Sequence, residues 1–220
     1  MNIQILSFFI APVIALLLIF YMKFKFQVKR YSLIKKAFLF GAISVLLMVL
    51  VQILASYLRL DEYRNIRRTA FYAFVIIAFS SEFVKFLILR YYFQPKEKFK
   101  GPLDGIIYSV LISLGFATVA TILYAYNIIG ARVNLLFLFT YALANIVFSI
   151  LLGFFVGLGK TRQNRFVDSM TGLFAATFFH GLYILSFLTK DYRLLIILAV
   201  GSIIIAILLT LKSLKVKVED

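Results

Sequence analysis

Apolar runs long enough to cross a lipid bilayer recur along almost the whole chain. A helix rises about 1.5 Å per residue, so about 20 apolar residues cover a hydrocarbon core roughly 30 Å thick. Hydrocarbon offers backbone N–H and C=O groups no partner, so each run must close its own hydrogen bonds as a helix. Seven runs meet this requirement, at about 3–22, 37–58, 69–90, 104–127, 133–158, 170–188 and 192–211. The expected fold class is therefore all-α, a polytopic transmembrane helix bundle of about seven helices. Short connections set neighbouring helices antiparallel. No repeat, linker or low-complexity segment divides residues 1–220, which read as a single transmembrane domain.

Composition points the same way. Hydrophobic residues make up 63% of the chain and the mean hydropathy is +1.00, whereas a soluble domain is nearer half apolar. A net charge of +15 would suit a nucleic-acid binder if the chain were soluble. Here the basic residues sit in short loops between apolar runs, the pattern that orients membrane proteins. Nucleic acid is thus not an expected partner, and the lipid bilayer is. The first run, Ile3 to Tyr21, lacks a basic leader and is longer than a signal-peptide core, so it is expected to stay as a helix. Sixteen basic residues fall on the side that carries loops one, three and five and the C-terminal tail, against seven on the other. The larger group includes Lys29, Arg30 and Lys217, the smaller Arg64 and Arg132. The excess places the N terminus outside and the C terminus in the cytoplasm of a bacterial inner membrane. The loop with Arg59, Arg64, Arg67 and Arg68 pulls the other way, with Asp61 and Glu62 offsetting little.

Polar residues inside the spans are few and therefore informative. The third span holds Ser80, Ser81, Glu82 and Lys85; the fourth holds Ser109, Ser113, Thr118 and Thr121. The fifth holds Thr140, Asn145 and Ser149, and the sixth Thr171, Thr177 and His180. Ionisable groups at membrane depth are costly and face the bundle interior. Glu82 and Lys85 lie three apart, on one helical face, and can neutralise each other. Glu82, Lys85, Asn145 and His180 are expected to point into one central cavity. The pair alone is compatible with a packing element, a proton path or a catalytic site. A hydrolase built on Ser81 or Ser113 with His180 needs nucleophile and base in reach, which spacing cannot establish. A zinc centre takes about three ligands from His, Cys, Asp or Glu. The chain has no cysteine and one histidine, so no metal or other cofactor is expected. Asp104 follows a Gly-Pro turn and is expected to cap a helix. Gly153 and Gly157 have the small-xxx-small spacing of close helix approach, read here as packing within the bundle.

A resemblance extends this reading. Ser81-Glu82-Phe83-Val84-Lys85 resembles the E-E-x-x-K motif of the PrsW intramembrane proteases. Asp104-Gly105-Ile106-Ile107-Tyr108, followed by Leu114-Gly115-Phe116-Ala117, resembles their D-G and G-F-A segment. Asn145 stands eight residues before Gly153, where that family has a histidine, and His180 resembles its final membrane histidine. The resemblance covers roughly residues 70–190. It implies peptide hydrolysis within or near the bilayer, with a carboxylate activating water, aided by membrane histidines and a metal. It also implies a transmembrane helix as substrate, such as that of an anti-sigma factor.

The sequence departs from the family pattern where that chemistry would lie. Ser81 replaces the first glutamate, Ala120-Thr121 replaces a Glu-Asn pair, and Asn145 replaces a histidine. Loss of a general base alone costs about 10²–10⁴-fold in rate. The glycines and Asp104-Gly105 remain while the carboxylates do not, which suggests a fold kept without the reaction. The superfamily implied by the resemblance also contains a noncatalytic scaffold subunit of gamma-secretase. Two functions follow. One is a PrsW-like protein with lost or much reduced peptidase activity that binds a transmembrane helix or partner protein. The other is an active peptidase with Glu82 and His180 as catalytic residues, supported by Lys85 and Asn145. A small transporter is a third class, but paired broken helices in two repeated halves are not visible.

Overall fold

The computed structural model describes residues 3–26, 31–61, 65–130 and 133–216. Lys29, Arg30, Glu62, Arg64, Arg132 and Lys217, used above to weigh orientation, lie outside the described residues. Seven helices are long and apolar enough to span a membrane, and no strand occurs among the described residues. They are α1 (Ile3–Phe26), α2 (Tyr31–Tyr57), α3 (Ile66–Phe93), α4 (Pro102–Ala125), α5 (Leu135–Thr161), α6 (Arg165–Leu188) and α7 (Tyr192–Lys215). Each overlaps one expected span, and the ends move by up to six residues, mostly outward where polar end turns continue a helix that hydropathy alone truncates.

Local chemistry sets several of these ends. The Asn65 side chain accepts from Arg68 N at 3.0 Å to start α3, and Asn134 accepts from Phe137 N at 2.8 Å to start α5. Asp191 accepts from Arg193 N and Leu194 N at the head of α7. Pro102 occupies the first turn of α4, where its missing N–H costs nothing. Asp104 reaches back from that turn to accept from Lys100 N at 2.7 Å, so it serves the helix end and is not part of the buried polar centre described below.

The bundle is built around α4. In the apolar 18-residue stretch of each helix, 67% of α3 and 72% of α4 is buried, against 22% of α1 and 17% of α7, so the terminal helices form the rim. α4 packs most extensively on α5 and then on α2, while α6 packs on α5 and on the first half of α3. Glycines make the tight seam between α4 and α5 possible. A Cβ on Gly105 would penetrate the Gly153 carbonyl, and one on Gly157 would sit 2.5 Å from Pro102 Cα. Gly153 and Gly157 therefore face α4 of their own chain, the intramolecular contact expected of that spacing.

Candidate functional site

The polar centre is carried by α3, whose backbone is not uniform. Residues Tyr72–Phe79 and Ile88–Phe93 form wide π turns on either side of an α-helical block, Ser80–Leu87. Such insertions re-aim side chains relative to a regular helix and recur at functional sites. At the end of the first wide stretch, Ser80 Oγ donates to Ile76 O at 2.5 Å and Ser81 Oγ donates to Ile77 O at 2.6 Å. Ser81, fully buried, thus turns its hydroxyl to its own helix. Ser113 is also buried and has no hydrogen-bond partner. Neither serine is hydrogen-bonded to the histidine, so the geometry of a seryl nucleophile and its base is not met.

Glu82, Lys85, Asn145 and His180 come together from α3, α5 and α6. Lys85 Nζ lies 2.5 Å from Glu82 Oε1 and donates to Asn145 Oδ1 at 3.0 Å. His180 Nδ1 lies 2.7 Å from the same Glu82 oxygen. Beside an ionised carboxylate, Nδ1 is the protonated nitrogen and donates, and in the neutral imidazole Nε2 is then an acceptor. Asn145 Nδ2 in turn donates to Tyr141 O at 3.0 Å, fixing which way its amide points. One acid and one ammonium cancel, and the ammonium also faces the Phe116 ring at 5.1 Å.

Aromatic residues close this cluster. The Phe148 ring stacks on the His180 imidazole at 5.0 Å, and Tyr141 lies at 6.2 Å. All four polar side chains have 0% exposure. The expectation of a central cavity is therefore met by a filled polar cluster instead, because large rings occupy the space that small side chains would have left open. Glu82 Oε2 and His180 Nε2 lack a hydrogen-bond partner, as does the hydroxyl of the enclosing Tyr141.

Glu82 Oε2 and His180 Nε2 are the carboxylate and imidazole atoms that the cluster leaves open to a metal. No group of three His, Cys, Asp or Glu residues occurs among the described residues. Zinc centres take about three such ligands, and the Lys85 ammonium already supplies the countercharge at Glu82. The donor set does not fit a zinc ion.

Sequence reasoning missed the wide turns of α3, which leave no composition signal, and the aromatic seal. It also missed Gln94, which is fully buried at the end of α3. Gln94 Nε2 donates to Val156 O at 2.5 Å, its side-chain oxygen accepts from Arg90, and Lys160 Nζ donates to its carbonyl at 3.0 Å. This latch pins the end of α3 to α5. The only trace of it in the sequence is a glutamine wedged between Phe93 and Pro95 at the close of an apolar run.

Comparison with known proteins gives a consistent answer. The family model described as PrsW family intramembrane metalloprotease matches residues 29–211. A curated relative named Protease PrsW from Geobacillus kaustophilus is 30% identical over 189 residues, covering 86% of this chain and 81% of its own. Its namesake from Oceanobacillus iheyensis is 32% identical over 192 residues, covering 86% and 84%. The one from Bacillus subtilis is 33% identical over 161 residues, covering 72% and 69%. No solved structure matches the chain.

Proposed function

The chain belongs to the PrsW family of intramembrane metalloproteases, and from that premise we propose that it is a member with lost or much reduced peptidase activity that binds a transmembrane helix or partner protein. One observation carries the proposal. Glu82, the carboxylate a peptidase would use as base, has one oxygen held by both Lys85 Nζ and His180 Nδ1, and the whole cluster is sealed from solvent. A general base must reach the water or group from which it takes a proton. Here an ammonium 2.5 Å away holds the electron pairs of that oxygen.

The binding half of the proposal draws on a lipid-facing groove between α5, α6 and α7. It encloses about 360 Å³ and is lined by Leu143, Val147, Phe148, Tyr183, Leu198 and Ile203 among others. Phe148 is both a wall of this groove and the ring stacked on His180. A helix seated there would press directly on the cover of the polar cluster. The proposed setting is a bacterial cytoplasmic membrane, with the C terminus inside.

A second reading, active peptide hydrolysis with Glu82 as base and His180 as its partner, is favoured by the two unpartnered atoms Glu82 Oε2 and His180 Nε2. One experiment separates the two. Purified chain in liposomes is incubated with single-pass membrane substrates, including an anti-sigma factor, beside Glu82→Gln. The proposal expects equal background product from both. Cleavage by the wild type that disappears in Glu82→Gln would establish the peptidase.

A further inference from the structure

The end of the bundle opposite the C terminus holds a second polar feature, which shares no residue with the Glu82 cluster. A cavity of about 450 Å³ is framed by the end of α2, the turn after it, Tyr72 on α3 and the Asn127–Gly130 turn after α4. Gln52 of α2 lines it at 4% exposure, and neither its amide nitrogen nor its amide oxygen has a hydrogen-bond partner. Buried polar groups are normally partnered, and this whole primary amide has no protein partner and faces the cavity. Asp61 is the one charged residue among the described residues lining the cavity, and Ser56 Oγ donates to its Oδ2 at 2.9 Å, which orients the carboxylate.

The turn over Gln52 is built to stay close. Asn127 and Gly130 have φ of 53° and 69°, left-handed conformations that only glycine adopts without cost. A Cβ on Gly130 would sit 2.6 Å from Tyr124 Cε1 and 3.5 Å from Gln52 Oε1. A side chain there would therefore strain the backbone and collide with Tyr124. The space itself is far larger than the roughly 30 Å³ of one water and falls in the range of small-ligand sites.

We propose that this cavity binds an extended peptide segment bearing a cationic group, with Gln52 pairing one peptide amide and Asp61 facing the cation. A primary amide offers one N–H donor and one C=O acceptor side by side, the complement of the C=O and N–H presented by a peptide backbone. Ile53, Tyr57 and Ile128 supply apolar wall for the flanking side chains. The site does not depend on whether the Glu82 cluster hydrolyses peptide bonds.

The test is equilibrium binding of a tritiated alanine–lysine–alanine tripeptide to the full chain in detergent. Saturable binding is expected, weakened about tenfold or more by Gln52→Leu, since the peptide then loses its hydrogen bonds to the largely buried amide. Asp61→Asn is expected to abolish the preference for this peptide over alanine–leucine–alanine. Gln52→Met, which keeps the side-chain length without an amide or a buried charge, guards against a folding defect in Gln52→Leu and is expected to bind as weakly. No saturable binding, or binding unchanged in all three variants, would overturn the proposal and leave a hydrated cavity only.

Discussion

Lys85 Nζ on α3 donates a hydrogen bond to Asn145 Oδ1 on α5 at 3.0 Å, and the same nitrogen lies 2.5 Å from Glu82 Oε1. One ammonium therefore neutralises a buried carboxylate and ties two helices together. The charges of α3 are in this sense part of the packing. Removal of Lys85 leaves the Glu82 carboxylate with only the His180 imidazole as a partner and no access to water.

Lys85→Met should show this directly. Removing one partner of a buried ion pair costs about 3–5 kcal/mol, because the other is left as an uncompensated charge. Thermal or denaturant unfolding in detergent should register that loss. The double variant Glu82→Gln/Lys85→Met should recover much of it, since the orphaned carboxylate is gone. A Lys85→Met protein as stable as wild type would mean that the pair does not stabilise the bundle.

Zinc content gives a separate check on the donor set. Glu82 Oε2 and His180 Nε2 are two ligand atoms where about three protein ligands are needed. Asn145 could add only a neutral amide oxygen, a weak zinc ligand, and Lys85 already engages it. Elemental analysis of the purified protein should find well under one equivalent. One equivalent per chain, lost on His180→Ala, would return the protein to the metalloprotease reading.

Gly153→Ala tests the seam between α4 and α5. The added methyl would run into the Gly105 carbonyl and lie 2.7 Å from Ile106 Cα. Backbone cannot yield as a flexible side chain can, so a loss of about 1–3 kcal/mol is expected. Gly201→Ala on α7 is the matched control, because nothing lies within 4 Å of a Cβ there, and it should unfold like wild type. Equal melting of both variants would show that the seam is looser than described.

Topology can be read with reporters fused to the C terminus. The basic excess of sixteen to seven predicts that a cytoplasm-active reporter works there and an exported one does not. Activity of only the exported reporter would reverse the orientation, with the arginines around Asp61 then the dominant signal.

Seven spans, their approximate limits and the interior placement of Glu82, Lys85 and His180 were legible in the sequence. Each follows from a property of a single segment: length against bilayer thickness, or the cost of a charge in hydrocarbon. The glycine seam was legible as spacing, but its partner helix was not. Whether Gly153 meets Gly105 or another chain depends on which surfaces the fold brings together. The same limit applies to the site. Composition listed a carboxylate, an ammonium, an amide and an imidazole, but not that His180 and Lys85 would share one oxygen of Glu82. Nor could it show that Phe148 and Tyr141 would fill the space around them, or that Gln52 would be buried with its amide open. Segment chemistry is set by neighbours within one or two turns, so the sequence alone decided what crosses the membrane and what must face inward. Contacts between residues 60 to 98 positions apart depend on helix packing and on the wide turns of α3, so only the tertiary structure decided what those inward groups touch.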